Sequence, residues 1–441
     1  MKFYDRQYEL AELKRVKKIA FSEFSRMTVV TGRRRIGKTS LLLKSVEGEK
    51  TAYFFVSRKN EALLCHDFVE ELEYALGIKV PGTYTDFRSL FYFIMDLSTR
   101  QSFNLIIDEF QNFQYVNPSI FGDIQHYWDR FRRAGHLNLM VSGSVASMME
   151  KIFRDKKEPL FGRADALIRL EAFPVSTLKE IIRDYASDYT ADDLLALYAF
   201  TGGVPKYVEQ FVDAQALDVQ SMITFMARED SLFIDEGRMH LMEEFGKEYG
   251  NYFSILALLS SGQTERNKLN SMMQMEIGGY LGKLENDYHI IARRRPILSK
   301  DSARNVRYYI CDKFLNFWFR YFYNYRVLIE SKNLNALRER IRMDYPTFSG
   351  IMLEDFFKDE LRESGKFSQI GSWWNMAKGN YEVDIVALYL EKKRALIAEV
   401  KRQKKNFKPE AFHEKVSYLQ TALLHGYEIE PICLTLEDIA L

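Results

Sequence analysis

The chain has 441 residues, 47% of them hydrophobic and 14% aromatic, and a net charge of +1. This composition excludes a disordered chain and a single ordinary core, and it predicts roughly two to four domains. Near-neutral charge excludes a global electrostatic pull on nucleic acid, so any such binding must come from local patches.

The three cysteines, Cys65, Cys311 and Cys433, are widely scattered. That spacing argues for a reducing compartment and against a disulfide framework or a cysteine zinc site. The opening stretch MKFYDRQYELAELKR is charged throughout and lacks the apolar core of a signal peptide. No apolar run approaches the roughly 18 residues that span a bilayer. A cytoplasmic protein with no membrane partner is expected, without internal repeats or low-complexity segments.

Met27 to Thr31 reads as a buried parallel strand. The stretch Gly32, Arg33, Arg34, Arg35, Ile36, Gly37, Lys38 and Thr39 then fits G-x-x-x-x-G-K-[ST], and Lys38 opens a helical segment that continues through Ser40. Strand, loop and helix are the context a phosphate-binding loop requires. Gly37 lets backbone N–H groups turn toward phosphates, and the helix N-terminus adds positive partial charge. Lys38 is expected to reach the β- and γ-phosphates of ATP and the Thr39 hydroxyl to ligate Mg²⁺. GTP is not excluded by composition.

Phe103 to Phe113 contains a second buried strand that ends in two acids. Asp108 stands where a strand should hold hydrated magnesium, and Glu109 where a base should orient the attacking water. Asn138 to Val145 is a third strand, ending at Ser142 and Gly143. Ser142 can contact the γ-phosphate or the water, or it can be a plain strand-to-turn residue. Thr51–Ser57 and Ala164–Phe173 are further strands, and the stretches NEALLCHDFVEELEYAL and FGDIQHYWDRFRRAG read as helices. The expected core is a parallel sheet of about five strands alternating with helices.

In this order, GRRRIGKTSLL, LIIDEFQ, SGS, LFGRADALIRLEAF and TGGVPKYVE resemble the prokaryotic AAA-type ATPases of the STAND class, in the clade fused to a C-terminal domain of uncharacterised role. The resemblance implies that the arginines of the loop belong to its own pattern. It implies adenine contacts from Phe3 or Tyr4 and Arg6, with Asp5 where a glycine is more usual. It also implies that Arg163 senses or completes the γ-phosphate site, within one chain or across a subunit boundary of a homo-oligomer. The turn at Thr201 to Tyr207, two glycines and then a proline near a first helical turn, reads as a hinge.

From Tyr252 to Ile297 the rhythm is an apolar helix, a Ser-Gly turn, a helix capped near Thr264 and a third helix GGYLGKLEND, followed by an extended pair. That is the order of a winged helix-turn-helix. A DNA-binding reading places Arg293, Arg294 and Arg295 on phosphates; a structural or regulatory module is the alternative, and the composition of the third helix favours it. The aromatic run FLNFWFRYFYNYR reads as a helix buried at a domain junction.

The last hundred or so residues carry an amphipathic helix with Glu354 and two strands, YEVDIVALYL and RALIAEVKRQ. Period two puts Glu382 with Asp384, and Glu399 with Lys401, on common faces. This resembles the PD-(D/E)XK nuclease superfamily. The resemblance implies Glu354 on the first helix, Asp384 and Glu399 as metal ligands, and Lys401 as the charge that steadies nucleophile or transition state. The basic run KRQKKNFK would suit a phosphate backbone.

The expected fold class is α/β: a P-loop NTPase sheet (1–175) with a helical lid (176–244), a winged-helix module (245–330) and a small restriction-endonuclease-like α/β domain (331–441). Three readings stay open: an ATP-gated DNA nuclease, an ATP-driven switch with a catalytically silent C-terminal domain that binds DNA or protein, and a winged-helix transcriptional regulator.

Overall fold

The computed structural model describes residues 1–245, 249–300, 305–375, 381–391 and 393–440. The chain divides into two compact units, Asp5–Glu171 and Met1–Tyr4 with Ala172–Leu441.

The first unit is built on strands β1 (Arg26–Thr31), β2 (Thr51–Phe55), β3 (Phe103–Asp108), β4 (Leu137–Gly143) and β5 (Ala166–Arg169). They form one sheet in the order β2-β3-β4-β1-β5, with every pairing parallel. Every residue of β3 and β4 is buried, so neither strand shows the alternation of a half-exposed sheet; helices cover both faces. Polar Asn104 and Asn138 are tolerated there because the Asn138 amide donates to Asn104 at 2.9 Å. The helix Glu61–Leu76 starts where Asn60 accepts from the Ala62 N–H and stops at left-handed Gly77. It packs Phe68 against Phe54 of β2, rings 4.2 Å apart and stacked. A helix absent from the sequence expectation, Phe87–Ser98, starts at an Asp86 cap and buries Phe87, Leu90, Phe91 and Ile94.

This strand order matters for function. Chain neighbours β1 and β2 are separated in the sheet by β3 and β4, so the carboxyl ends of β3, β4 and β1 stand side by side. Such an edge is where open α/β sheets bind ligands.

The second unit begins with helices Val175–Tyr185, Ala191–Thr201, Pro205–Asp213, Val219–Met226 and Leu232–Phe245. The helix Ala191–Thr201 ends in left-handed Gly202, and at Gly203 (φ 72°) an added Cβ would lie 2.4 Å from the Phe173 carbonyl oxygen. Only glycine fits this approach, which locks the turn before Pro205. Three helices follow, Tyr249–Ser260, Arg266–Met273 and Gly278–Asn286, and then the antiparallel pair β6 (Ile291–Arg294) and β7 (Arg307–Ile310). This is the winged-helix order, although the second helix is led by Glu265 rather than Thr264. The residues between the two wing strands lie partly outside the described residues. The aromatic run is not one α-helix. An α-turn, Lys313–Phe317, passes into a π-helical turn, Trp318–Tyr323. Trp318, Phe319, Tyr321 and Phe322 are all buried, so side chains must pack on every side and no single apolar stripe suffices.

The long helix Leu334–Glu363 leads into β8 (Phe367–Asn375), β9 (Tyr381–Tyr389) and β10 (Arg394–Lys401), then the helix Pro409–Ala422 and β11 (Glu428–Thr435). The sheet order is β11-β10-β9-β8. The first three strands form an antiparallel meander, and the helix carries the chain over to the parallel strand β11. Arg402, in the basic run after β10, forks onto Asp192 at 2.8 and 2.9 Å. It ties this sheet to the helical segment and is not available to a phosphate backbone.

Candidate nucleotide site and carboxylate cluster

The loop after β1 is shaped by its glycines. Gly32 has φ 149°, and a Cβ there would sit 2.9 Å from the Leu170 carbonyl oxygen. Gly37, left-handed at φ 91°, is the N-cap of the helix Lys38–Ser45. Arg35 also lies in the left-handed region, φ 65°, so the loop bends tightly even where it lacks glycine. Lys38 is only 6% exposed, and its ammonium donates to the Gly32 and Arg33 carbonyls, both at 2.9 Å. Burial pushes its pKa down to about 8. Glu109 and Asp108 oppose the fall; Arg33 and Arg34 deepen it. A buried ammonium held by two loop carbonyls, under a helix N-terminus, is a place that an anionic phosphate fits.

Asp108, at the end of β3, gathers its neighbours. It accepts from Thr39 Oγ1 at 2.7 Å, Tyr53 OH at 2.8 Å, Ser142 Oγ at 2.5 Å and the Glu109 N–H at 2.9 Å. Burial alone would raise its pKa, but these hydrogen bonds together bring it below the ordinary carboxylate value. Asp108 is thus an anion at neutral pH, hydrogen-bonded to the Thr39 hydroxyl, and the two oxygens could hold a hard cation. Ser142 orients Asp108. Glu109 is left-handed, φ 54°, and its carboxylate accepts from Gln111 Nε2 at 2.6 Å and Ser144 Oγ at 2.7 Å. Tyr53, Gln111 and Ser144 are not singled out by the sequence; the Tyr53 and Ser144 hydrogen bonds depend on sheet order, whereas Gln111 reaches Glu109 from two residues along the chain. Arg163 forks onto Asp129 at 3.0 and 3.4 Å and donates to the Phe161 carbonyl at 2.8 Å. Any role at a γ-phosphate requires it to exchange that carboxylate for the phosphate. Arg6 is buried and donates to the Glu171 carbonyl at 2.6 Å. Asp5 has φ 57°, the backbone that explains why glycine suits the position.

In the second unit, the long helix, β9 and β10 bring Glu354, Asp384, Glu399 and Lys401 together. Lys401 Nζ lies 3.0 Å from Glu399 and 3.6 Å from Asp384. The Val400 N–H donates to Asp384 at 2.7 Å. Lys415, from the crossover helix, reaches Glu399 at 3.1 Å, and Lys358 stands 3.6 Å from Glu354. Burial, then the charge of Asp384, pushes the Glu354 carboxyl up to about 8. Burial also raises Asp384, with Glu399 adding to the rise and the Val400 N–H and Lys401 resisting it. Among the described residues no three His, Cys, Asp or Glu side chains form a ready metal-ligand group; each carboxylate has a lysine beside it. Sequence offered a signal for Lys358, four residues after Glu354 on one helix, and none for Lys415.

The arginines of the wing are engaged. Arg294 makes a bidentate pair with Asp355 at 3.0 and 3.2 Å, and Arg293 stands 3.4 Å from Glu285. The Arg294 fork holds a carboxylate within the unit, the arrangement that the structural reading of the wing expects.

A glycine-framed loop entering a helix, a buried lysine, and two acids at the carboxyl end of a nearby strand define a P-loop ATPase domain. Comparison agrees: residues 3–211 match the family described as ATPase domains predominantly from Archaea. Residues 318–412 match a family of archaeal and bacterial proteins of unknown function. An uncharacterised protein of Methanocaldococcus jannaschii is 28% identical over 412 residues, 90% of this chain and 87% of that one. The Walker-type ATPase of Pyrococcus abyssi superposes with a TM-score of 0.56 at 16% identity, covering 72% of this chain and 96% of that one. The ORC2 protein of Aeropyrum pernix, solved in ADPNP–ADP complexes, gives 0.47 at 14% identity, over 75% and 95%. Among the described residues no helix is long and apolar enough to cross a membrane.

Proposed function

We propose that the chain is an ATP-operated switch whose C-terminal domain is a metal-dependent nuclease acting on DNA. In the first unit, Lys38 holds the β- and γ-phosphates, and Thr39 and Asp108 hold Mg²⁺. Glu109 orients the attacking water, and Ser142 with Tyr53 keeps Asp108 in place. The Gln111 and Ser144 hydrogen bonds aim the Glu109 carboxylate. Arg163 joins the γ-phosphate after leaving Asp129, from the same chain or from a second copy in an oligomer. A place among the STAND-class ATPases and a cytoplasmic setting go with this reading.

For the second unit, one observation carries the reading: Glu354, Asp384, Glu399 and Lys401, spread over a helix and two strands, meet at one end of one sheet. The helix, three-strand meander, helix and parallel strand are an order that supports a restriction-endonuclease-like core. Asp384 and Glu399 would hold a divalent cation, displacing the lysine contacts that now neutralise them, and Lys401 would steady charge on the phosphodiester. Such a cation supplies an activated water and neutralises phosphate charge.

A second reading, a C-terminal domain that binds but does not cut, is favoured by one observation: each carboxylate already has an ammonium beside it. Cleavage of plasmid and single-stranded DNA, with Mg²⁺ or Mn²⁺ and with or without ATP, separates the two. Calorimetric Mn²⁺ titration gives an independent readout. Cleavage and Mn²⁺ binding that both vanish in Glu399→Ala are expected; ATP hydrolysis with neither leaves the switch alone. A sequence-reading winged helix is disfavoured, because Arg294 is committed to Asp355.

A further inference from the structure

A cavity of about 220 Å³ opens between the wing and the C-terminal domain. Its wall includes Arg294, Arg295 and Tyr309 from the wing, Glu354 and Lys358 from the long helix, and Trp374 from β8. Most of its charges have partners of their own. Arg294 is forked onto Asp355, Arg362 is paired with Asp359, and Glu382 takes Arg307 at 2.7 Å.

Lys358 is paired more loosely, among the described residues with Glu354 alone. It is 3% exposed, and the carboxylate beside it, Glu354, is 3.6 Å away, beyond hydrogen-bond reach. Its ammonium makes no hydrogen bond among the described residues. An ammonium at this depth, ion-paired but without a hydrogen bond, gains from an acceptor that enters the cavity. The cavity it faces also carries Arg295, and it is smaller than the roughly 300–1,000 Å³ typical of drug-sized ligands. It has room for a phosphate and part of a sugar, not for a base pair.

We infer that this cavity is a phosphate subsite, in which Lys358 and Arg295 take one backbone phosphate of a single nucleic-acid strand and lead that strand past Glu354 to Asp384, Glu399 and Lys401. The inference rests on the nuclease reading for the direction of the strand, but not for the phosphate chemistry. The wing then serves as one wall of a strand-binding site rather than as a reader of duplex sequence.

Binding measured apart from cleavage tests this. Fluorescence anisotropy of a labelled thymidine dodecamer with the full chain in EDTA, without ATP, is compared for wild type, Lys358→Met and Arg295→Met. Each variant is expected to bind about tenfold more weakly, with a log–log salt slope shallower by about 1. Thermal melts show that each is folded, and Arg295→Met carries the test if Lys358→Met is not. Unchanged affinity and slope in the folded variants overturn the inference. Inorganic phosphate should compete with the oligonucleotide for wild type. If phosphate binding needs Lys358 while oligonucleotide binding does not, the site serves free phosphate and the strand assignment is lost. Cleavage is read separately, with Mg²⁺ present and Glu399→Ala as the control. If that variant loses cleavage while Lys358 proves irrelevant to binding, this subsite fails and the nuclease reading stands; Lys358-dependent binding without any cleavage gives the reverse.

Discussion

Replacing Lys38 by Met should stabilise the empty ATPase domain while removing its response to ATP. The ordinary lysine value of 10.5 falls to about 8 at this buried position. That fall is a penalty of about 3 kcal/mol on the charged form. Methionine keeps most of the side-chain volume without the charge. It loses the two hydrogen bonds to the Gly32 and Arg33 carbonyls, each contributing about 1 kcal/mol. The expected net gain is therefore about 1–2 kcal/mol, or roughly 2–8 °C in melting temperature for a unit of this size. The same shift sets a pH dependence for the wild type. Lys38's folded pKa lies below its unfolded value, so the penalty is fully present below pH 8 and fades as pH rises toward 10.5. Bound phosphates restore the proton. ATP affinity should therefore be flat below about pH 8 and weaken up to tenfold per pH unit above it. Differential scanning fluorimetry of both proteins, with and without ATP, and calorimetric titration from pH 7 to 9.5 measure these effects. A Lys38→Met protein that melts lower than wild type and is still stabilised by ATP would refute the placement of the phosphate.

Two further outcomes follow from the site and the fold. Glu109→Gln should bind ATP about as tightly as wild type and hydrolyse it roughly 10²–10⁴-fold more slowly, as read in a phosphate-release assay, because it removes a base without removing a phosphate contact. Gly203→Ala should lower stability by more than about 1 kcal/mol, since it places a Cβ 2.4 Å from the Phe173 carbonyl oxygen at φ 72°; a melting temperature equal to wild type would mean that the turn relaxes freely.

The nucleotide site was legible because its demands fall on the backbone and on chain-local order. Gly32 and Gly37 mark positions where other residues strain, and Asp108 and Glu109 follow a strand that is apolar at every other position but Asn104. For the same reason β1, β3 and β4 lie within a few residues of their expected places: strands buried on both faces leave long apolar runs. What was not legible depended on partners distant in sequence. Tyr53 reaches Asp108 only because β2 lies beside β3. Arg294 looks like a phosphate contact until the long helix presents Asp355, sixty-one residues later. The π-helical turn was hidden because an aromatic run fits a buried α-helix equally well in sequence. Glu354 was visible only through the nuclease resemblance; by periodicity alone it is one acid among many on a long helix.

The C-terminal cluster poses the sharper physical question, because carboxylates among lysines can be either a structural network or a ligand site. The two neighbours on the long helix make the contrast. Asp355 is held down to about 2: burial works against its charge, but Arg294 and the nearby lysines outweigh it. That is a carboxylate placed for stability, and its contribution is present above the ordinary carboxylate range and lost only in strong acid. Glu354, one residue earlier, is pushed up to about 8. A raised carboxyl contributes in the opposite sense: stability declines as pH rises from about 4.5 toward 8. Glu354→Gln, which mimics the neutral acid, should therefore leave stability unchanged at pH 5 and raise it by about 1–2 kcal/mol at pH 8.5, a figure discounted because the side chain is one-third exposed. Asp355→Asn should lower stability at both. A network serving only the fold would lose stability in both variants, and urea unfolding at the two pH values would show it. If Glu354→Gln is stabilising, the fold gains nothing from that charge, and its position beside Asp384 is accounted for by what binds there.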